Sequence, residues 1–275
     1  MKKYLMVLAL GLVAGCGGGG GGSGGGTANP GPAGASPVLG SAGSYGIMAH
    51  DGAVTIQANG HVVGDVAIDP AGACNGCGPG HDATVSGTIN NGDAGGLAHQ
   101  AYLDQQTAYN NALARKTDPA YAPCTVAGDL AQLQPPSVAC ATLITPGNGP
   151  TNTFKPGIYV TATAMGIGSG ATITLDAGGN GNAVFIFQTD VALTTGTNSR
   201  VVLTGGAQAR NVWWIAGSAA TLGVSSTFKG SVLANSAAVT VLGGTALEPT
   251  LVEGRLFSSG AAAEVDTFAT VTVPL

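Results

Sequence analysis

Along most of the chain, apolar residues alternate with small polar ones in short runs, and the runs are separated by Gly, Asn and Ser. A period of two predicts short, half-buried β-strands. In "LTTGTNSRVVLTGG", Leu193 to Gly206, the second half alternates cleanly, with Val201 and Leu203 facing one way. One segment breaks this period. From Asp93 to Arg115, Leu97, Ala101, Ala108 and Ala112, with Tyr102, Tyr109 and Leu113, form one broad stripe at helical spacing. Asp93 stands near its start, and Lys116 followed by Asp118-Pro119 stops it. At 1.5 Å per residue such a helix is about 33 Å long.

The strand pattern recurs loosely in the C-terminal half. "AATLGVSSTFKGSVLANS", "AAVTVLGGTALEPTLVEGRLFSSG" and "AAAEVDTFATVTV" each begin with small residues, run through a strand, turn at Gly or Ser, and run again. A spacing of about 18–24 residues is the range of stacked supersecondary units. A solenoid is therefore expected, each coil burying a row of Val, Leu and Ile under the next. A helix of about 33 Å spans roughly seven coils at the strand spacing and would cover one apolar face of the stack.

Composition changes the picture at the surface. Of 275 residues, 47 are Gly and only 8% are charged, against about a quarter in an ordinary soluble domain. With a net charge of -5 there is no basic footprint, which argues against nucleic acid and anionic membrane surfaces as partners. The first residues read as an export signal. Lys2 and Lys3 precede an apolar stretch from Tyr4 to Val13, and "LVAGC" ends at Cys16 with small residues, the pattern of a bacterial lipoprotein signal. The expected organisation is a signal peptide over 1–15, a lipidated Cys16 with a Gly-rich tether over 16–37, and one folded domain over 38–275. Lipid on Cys16 would anchor the chain without a membrane-spanning helix, and Gly17 in place of Asp favours the outer membrane or cell surface in a Gram-negative envelope.

Four cysteines remain, Cys74, Cys77, Cys124 and Cys140. Export makes them disulfide candidates, with three pairings open and the local one, Cys74 with Cys77 and Cys124 with Cys140, preferred. The spacing of Cys74 and Cys77 with His81 nearby also fits zinc, but Cys124 and Cys140 supply no matching close pair. His50-Asp51 and His81-Asp82 lie in Gly-flanked sequence without a nucleophile or third ligand close by, so they read as solvated turn residues. Asp65, Asp69 and Asp176 read as turn formers. Trp213 and Trp214, adjacent on a strand, must face opposite ways, one into the core and one toward the surface or the helix. No cofactor, catalytic or metal site is expected, and the chain reads as a non-enzyme.

Several phrases carry a family resemblance. "LGSAGSYGIMAHDGAVTI", "VVGDVAIDP", "FKPGIYVTATAM", "ATITLDAGGNGNAVFIFQ", "ALTTGTNSRVVLTGGAQARNVWWIAGSAATLG" and "STFKGSVLA" closely resemble the microbial ice-binding (antifreeze) proteins, in that family's order and around its helix. The resemblance implies a mostly β fold, an irregular right-handed β-solenoid of triangular section with one long α-helix along its axis, in which the chain order of coils differs from their spatial order. It also implies adsorption to ice through one flat face. Stacked coils repeat at about 4.8 Å and alternate side chains at about 6.6 Å, a rigid grid that suits a lattice of water. Threonine fits the grid because its χ1 is stiff, its hydroxyl joins a water network and its methyl holds neighbouring waters.

Several active members of that family carry Thr-(Ala/Gly)-x-(Thr/Asn) on the ice-facing coils. "TGTN", Thr195 to Asn198, matches it, whereas "VSST", Val224 to Thr227, and "GGTA", Gly243 to Ala246, depart from it. The residues expected to share the ice-binding face are therefore Thr195, Thr197, Asn198, Thr221, Ser225, Ser226, Thr227 and Thr245. The expected function is adsorption of a monomer to ice, limiting its growth or recrystallisation. The departures favour the alternative, a surface adhesion or envelope-structural solenoid on the same scaffold.

Overall fold

The computed structural model of the chain describes residues 32–78, 80–92, 95–126, 128–133, 140–149 and 151–275. The signal sequence, Cys16, most of the tether and Asp93 lie outside the described residues. Three sheets of nine, nine and eight strands form the sides of a triangular solenoid. We name them faces A, C and B. Each coil contributes one strand to each side, as in Val212–Ala216 on face A, Ala220–Leu222 on face B and Thr227–Lys229 on face C.

Register between successive coils on face A runs Tyr159, Phe187, Trp214, Val232, Leu256. The advance is thus 18 or 24 residues in the later coils and 27 or 28 in the earlier ones. Chain order and spatial order differ as expected. The first strand, Tyr45–His50, sits between Asp65–Asp69 and the last strand of the face, Leu256–Ser258. The chain begins mid-stack, builds two coils outward, crosses to the far end along the helix, and stacks back until the last coil closes on the first.

The alternation in the sequence becomes two distinct packing layers. Inside the triangle, Phe154, Tyr159, Phe187, Trp214 and Phe228 form a continuous aromatic column, with Phe187 and Trp214 stacked at 4.3 Å. Val, Ile and Leu fill the remaining length. Outside face A, a second core holds Trp213, Ile186, Ile215, Leu233 and Phe257 under the helix. The two tryptophans divide as their adjacency requires: the Trp214 indole donates to the Lys229 carbonyl inside, and the Trp213 indole donates to Ser36 Oγ outside.

The helix α1, Leu97–Ala114, is shorter than the sequence predicts, about 27 Å. Its buried stripe is also rotated. Ala98, Ala101, Gln105, Ala108, Tyr109 and Ala112 face the sheet, whereas Leu97 is 68% exposed and Leu113 lies at the margin. Alanines let the helix approach a flat sheet whose outward side chains are already large, so the leucines are displaced to the rim. Polar bonds fix its placement: Gln188 Nε2 donates to the Ala112 carbonyl and Ser259 Oγ to Gln105 Oε1.

The same contacts correct the reading of His50 and Asp69. Asp69 is 1% exposed, and its carboxylate meets His50 Nδ1 at 2.9 Å and His99 Nδ1 at 3.1 Å, tying the start of α1 to the first two coils. His50 also stacks on Tyr102 at 3.6 Å. A buried carboxylate requires such partners, and the residue spacing along the chain gives no sign of them. Asp176, in contrast, folds its own turn by accepting from Gly178 N.

Upstream of the first strand, Ala33 to Ser36 lie in a docked strap. Arg115 donates to the carbonyls of Ala33 and Ala35, and burial of its guanidinium lowers its pKa. Each end of the solenoid carries a disulfide. Cys74 joins Cys77 beside the terminal strand of face B, and Cys124 joins Cys140 at the opposite end, with Cα separations of 5.6 and 5.5 Å.

Candidate functional site

Face A is covered by α1, which leaves faces B and C to solvent. On face B each strand turns its middle residue outward. In register these are Gly166, Thr194, Thr221, Thr240, Glu264, Thr55 and Asn75, with Asp129 beyond Gly166. Two residues earlier in each coil is an alanine. Ala192, Ala219, Ala238, Ala262, Ala53 and Ala73 form a parallel row, their carbonyls accepting from the neighbouring coil. From Gly166 to Asn75 the row spans about 29 Å at the inter-strand spacing, and the alanine row runs about 6.6 Å beside it.

A third row begins with Gly168, Gly196 and Gly223. At Gly223 an added Cβ would lie 2.4 Å from the backbone of Gly196, so glycine permits the tight stacking here. Between Gly166 and Thr240 the three rows consist of Ala, Thr and Gly, with Leu242 the largest member. Face C differs. Its outward positions include Arg200, Lys229, Glu253 and His61 among threonines, and Lys229 pairs with Glu253 at 2.7 Å.

The predicted site residues divide between these surfaces. Thr221 stands in the outward row of face B. Thr195 belongs to face B but points inward, 3% exposed, in a column otherwise made of Ile167, Leu222, Val241, Val265 and Ile56. Its Oγ1 accepts from Gly223 N at 2.9 Å. Ser226 is likewise buried, its Oγ donating to the Gly223 carbonyl. Thr197, Asn198 and Ser225 occupy the corner between faces B and C. Thr227 is on face C, where Arg200 donates to it. Thr245 is in the loop of the following coil, its Oγ1 accepting from Glu248 N. The structure therefore brings Thr221 into one row with Thr194, Thr240 and Thr55, three residues that the family motif does not mark.

The corner explains the "TGTN" phrase physically. Asn198, Ser225, Phe268 and Asn59 each turn from face B to face C with φ between 55° and 58°, and Gly170 does so at 68°. Asn and Gly tolerate this left-handed backbone best. The preceding Thr195 holds the next coil by a buried hydrogen bond. A signal for the outward threonines is nevertheless present in the sequence: Ala-x-Thr recurs at 53–55, 192–194, 219–221 and 238–240.

A three-sided solenoid with an axial helix thus presents, on face B, an ordered array of small groups. Residues 47–270 match the ice-binding-like family, and the chain belongs to it. An ice-binding protein from Nostoc sp. is 30% identical over 199 residues, covering 72% of this chain and 61% of its own length. Ice-binding protein K3-B1 from Typhula ishikariensis is 28% identical over 213 residues, covering 72% and 77%. The crystal structure of an ice-binding protein from an Antarctic biological consortium superposes with a TM-score of 0.69 at 28% identity, covering 87% of this chain and 91% of that one. Among the described residues no helix is long and apolar enough to cross a membrane.

Proposed function

We propose that this protein adsorbs to ice through face B and so restrains crystal growth or recrystallisation. The observation that carries the reading is the in-register row Thr194, Thr221, Thr240 beside an unbroken row of alanines, with no charged side chain between Gly166 and Thr240. Charged groups order water radially about themselves. A surface of methyls and hydroxyls at strand spacing instead leaves interfacial water free to take a lattice arrangement. Because the backbone is locked by ladders on both sides, little conformational entropy remains to be lost on contact. Many weak contacts made together then give a long-lived attachment.

Nothing in this mechanism uses a cofactor or a reacting group, so the protein acts by adsorption and not by catalysis. The signal-like start and Cys16 support a lipid-anchored protein at the cell surface, the family match supports ice as its partner, and the protein acts as a monomer in this reading. The strap of Ala33 to Ser36 is docked on the helix side, away from face B.

The test is to grow an ice hemisphere in fluorescently labelled protein, with Thr221→Tyr and Thr227→Tyr compared at matched folding. Adsorption of the parent, loss in Thr221→Tyr and retention in Thr227→Tyr support face B. Loss only in Thr227→Tyr moves the contact to face C, and exclusion of the parent makes a surface adhesion role the better reading.

A further inference from the structure

The outward threonine row of face B is interrupted. Thr194, Thr221 and Thr240 stack in register, the next position is Glu264, and the row resumes at Thr55. The alanine row beside it passes through the same coils unbroken, from Ala238 to Ala262 to Ala53. The backbone grid is therefore continuous, and the break is a single side chain. Glu264 is half-buried, and its Oε1 accepts from Gln57 Nε2 at 2.7 Å. Among the described residues no cationic side chain forms an ion pair with it.

The second acid of that coil behaves differently. Asp266 turns its carboxylate to the backbone, accepting from Thr267 N at 2.6 Å and from Gly243 N at 3.3 Å. Its charge is committed to the corner. Glu264 instead carries a full negative charge in the plane of the array, about 4.8 Å from a threonine on each side. A charge orders water about itself, so a carboxylate at this position would part Thr55 from the other threonines.

We infer that Glu264 sets the length of the ice-contacting row, ending the usable array at Thr240 and confining adsorption to the coils of Gly166, Thr194, Thr221 and Thr240. This rests on the face B reading given above. Replacing the carboxylate by the residue found at the neighbouring positions joins Thr240 to Thr55 in one row of five. Each of the two positions gained contributes a hydrogen-bonding contact worth roughly a factor of two or more in affinity.

The test uses the full chain, with Glu264→Thr and Glu264→Gln, in ice recrystallisation inhibition and in hemisphere adsorption, each variant checked by thermal melting. Glu264→Thr is expected to act at roughly fivefold lower concentration than the parent. Glu264→Gln, which loses the charge but keeps the contact with Gln57, is expected to fall between. A folded Glu264→Thr no better than the parent overturns the inference while the parent's own adsorption preserves the face B reading. If Glu264→Thr melts early, Glu264→Gln decides by the same comparison: improvement supports the inference and parity overturns it. A parent that fails to adsorb removes the reading and the inference together.

Discussion

Thr194 and Thr195 are neighbours in sequence and opposites in role, and replacing each by valine separates structure from contact. Valine keeps the shape of threonine and removes only the hydroxyl. At Thr195 that hydroxyl is the acceptor for Gly223 N at 2.9 Å, in a site 3% exposed to solvent. A buried N–H left without a partner costs about 1–3 kcal/mol. The extra methyl in an apolar column returns about 0.8 kcal/mol, so the net loss is roughly 0.2–2 kcal/mol. For a domain of this size the melting temperature falls by about 2–4 °C per kcal/mol. Thr195→Val should therefore melt below the parent by up to about 8 °C, while adsorbing to ice normally below its transition. Thr194→Val, on the exposed row, should change stability by no more than about 0.5 kcal/mol and weaken adsorption. Melting by circular dichroism and the ice-hemisphere assay read the two effects separately. A Thr195→Val protein of undiminished stability that no longer adsorbs would refute the inward assignment and the argument built on it.

Two further outcomes follow from the core and the ends. Cys124 and Cys140 close a loop of 16 residues, for which chain entropy alone predicts about 3 kcal/mol, whereas Cys74 and Cys77 are three apart and constrain little. Cys124→Ser with Cys140→Ser should thus lower the denaturation midpoint far more than the Cys74 and Cys77 pair of replacements, and equal losses would contradict this. Burial holds the Tyr159 phenol well above its ordinary value of 10.0, and Tyr45, Tyr102 and Tyr109 are raised as well. Above pH 10 the unfolded chain loses these protons first, so stability present below pH 10 declines by up to about 1.4 kcal/mol per pH unit for each such group. Arg255, lowered by burial to about 10, acts in the opposite direction, because the unfolded chain holds its proton longer. Arg115, also lowered by burial, acts with Arg255, and with four phenols against two guanidinium groups the melting temperature should fall above pH 10, and less steeply in Tyr159→Phe. An unchanged slope in that variant would count against the assignment.

Much of this architecture is legible in the residues themselves. The alternation of strands, the helix in the middle of the chain, the division of Trp213 from Trp214 and the family phrases all rest on local periodicity, which the backbone geometry of a strand or helix imposes on nearest neighbours. Local periodicity also places Leu193 inward, hence Thr194 outward and Thr195 inward. The matched "TGTN" phrase pointed to Thr195 instead, because a motif records which residues recur and not which way they face.

The tertiary structure decided what depends on distant pairing. Coil advances of 18 to 28 residues bring Thr194, Thr221, Thr240 and Thr55 onto one line, although Thr55 is far from the others in the chain. The closure of the last coil on the first seats Glu264 between Thr240 and Thr55, and the return of α1 brings His99 to Asp69. Which side the helix covers, and which of the other two is free of charge, follow from that closure. Short-range alternation fixes in from out along each strand, but register between coils is set by turn lengths and core packing summed over the whole stack.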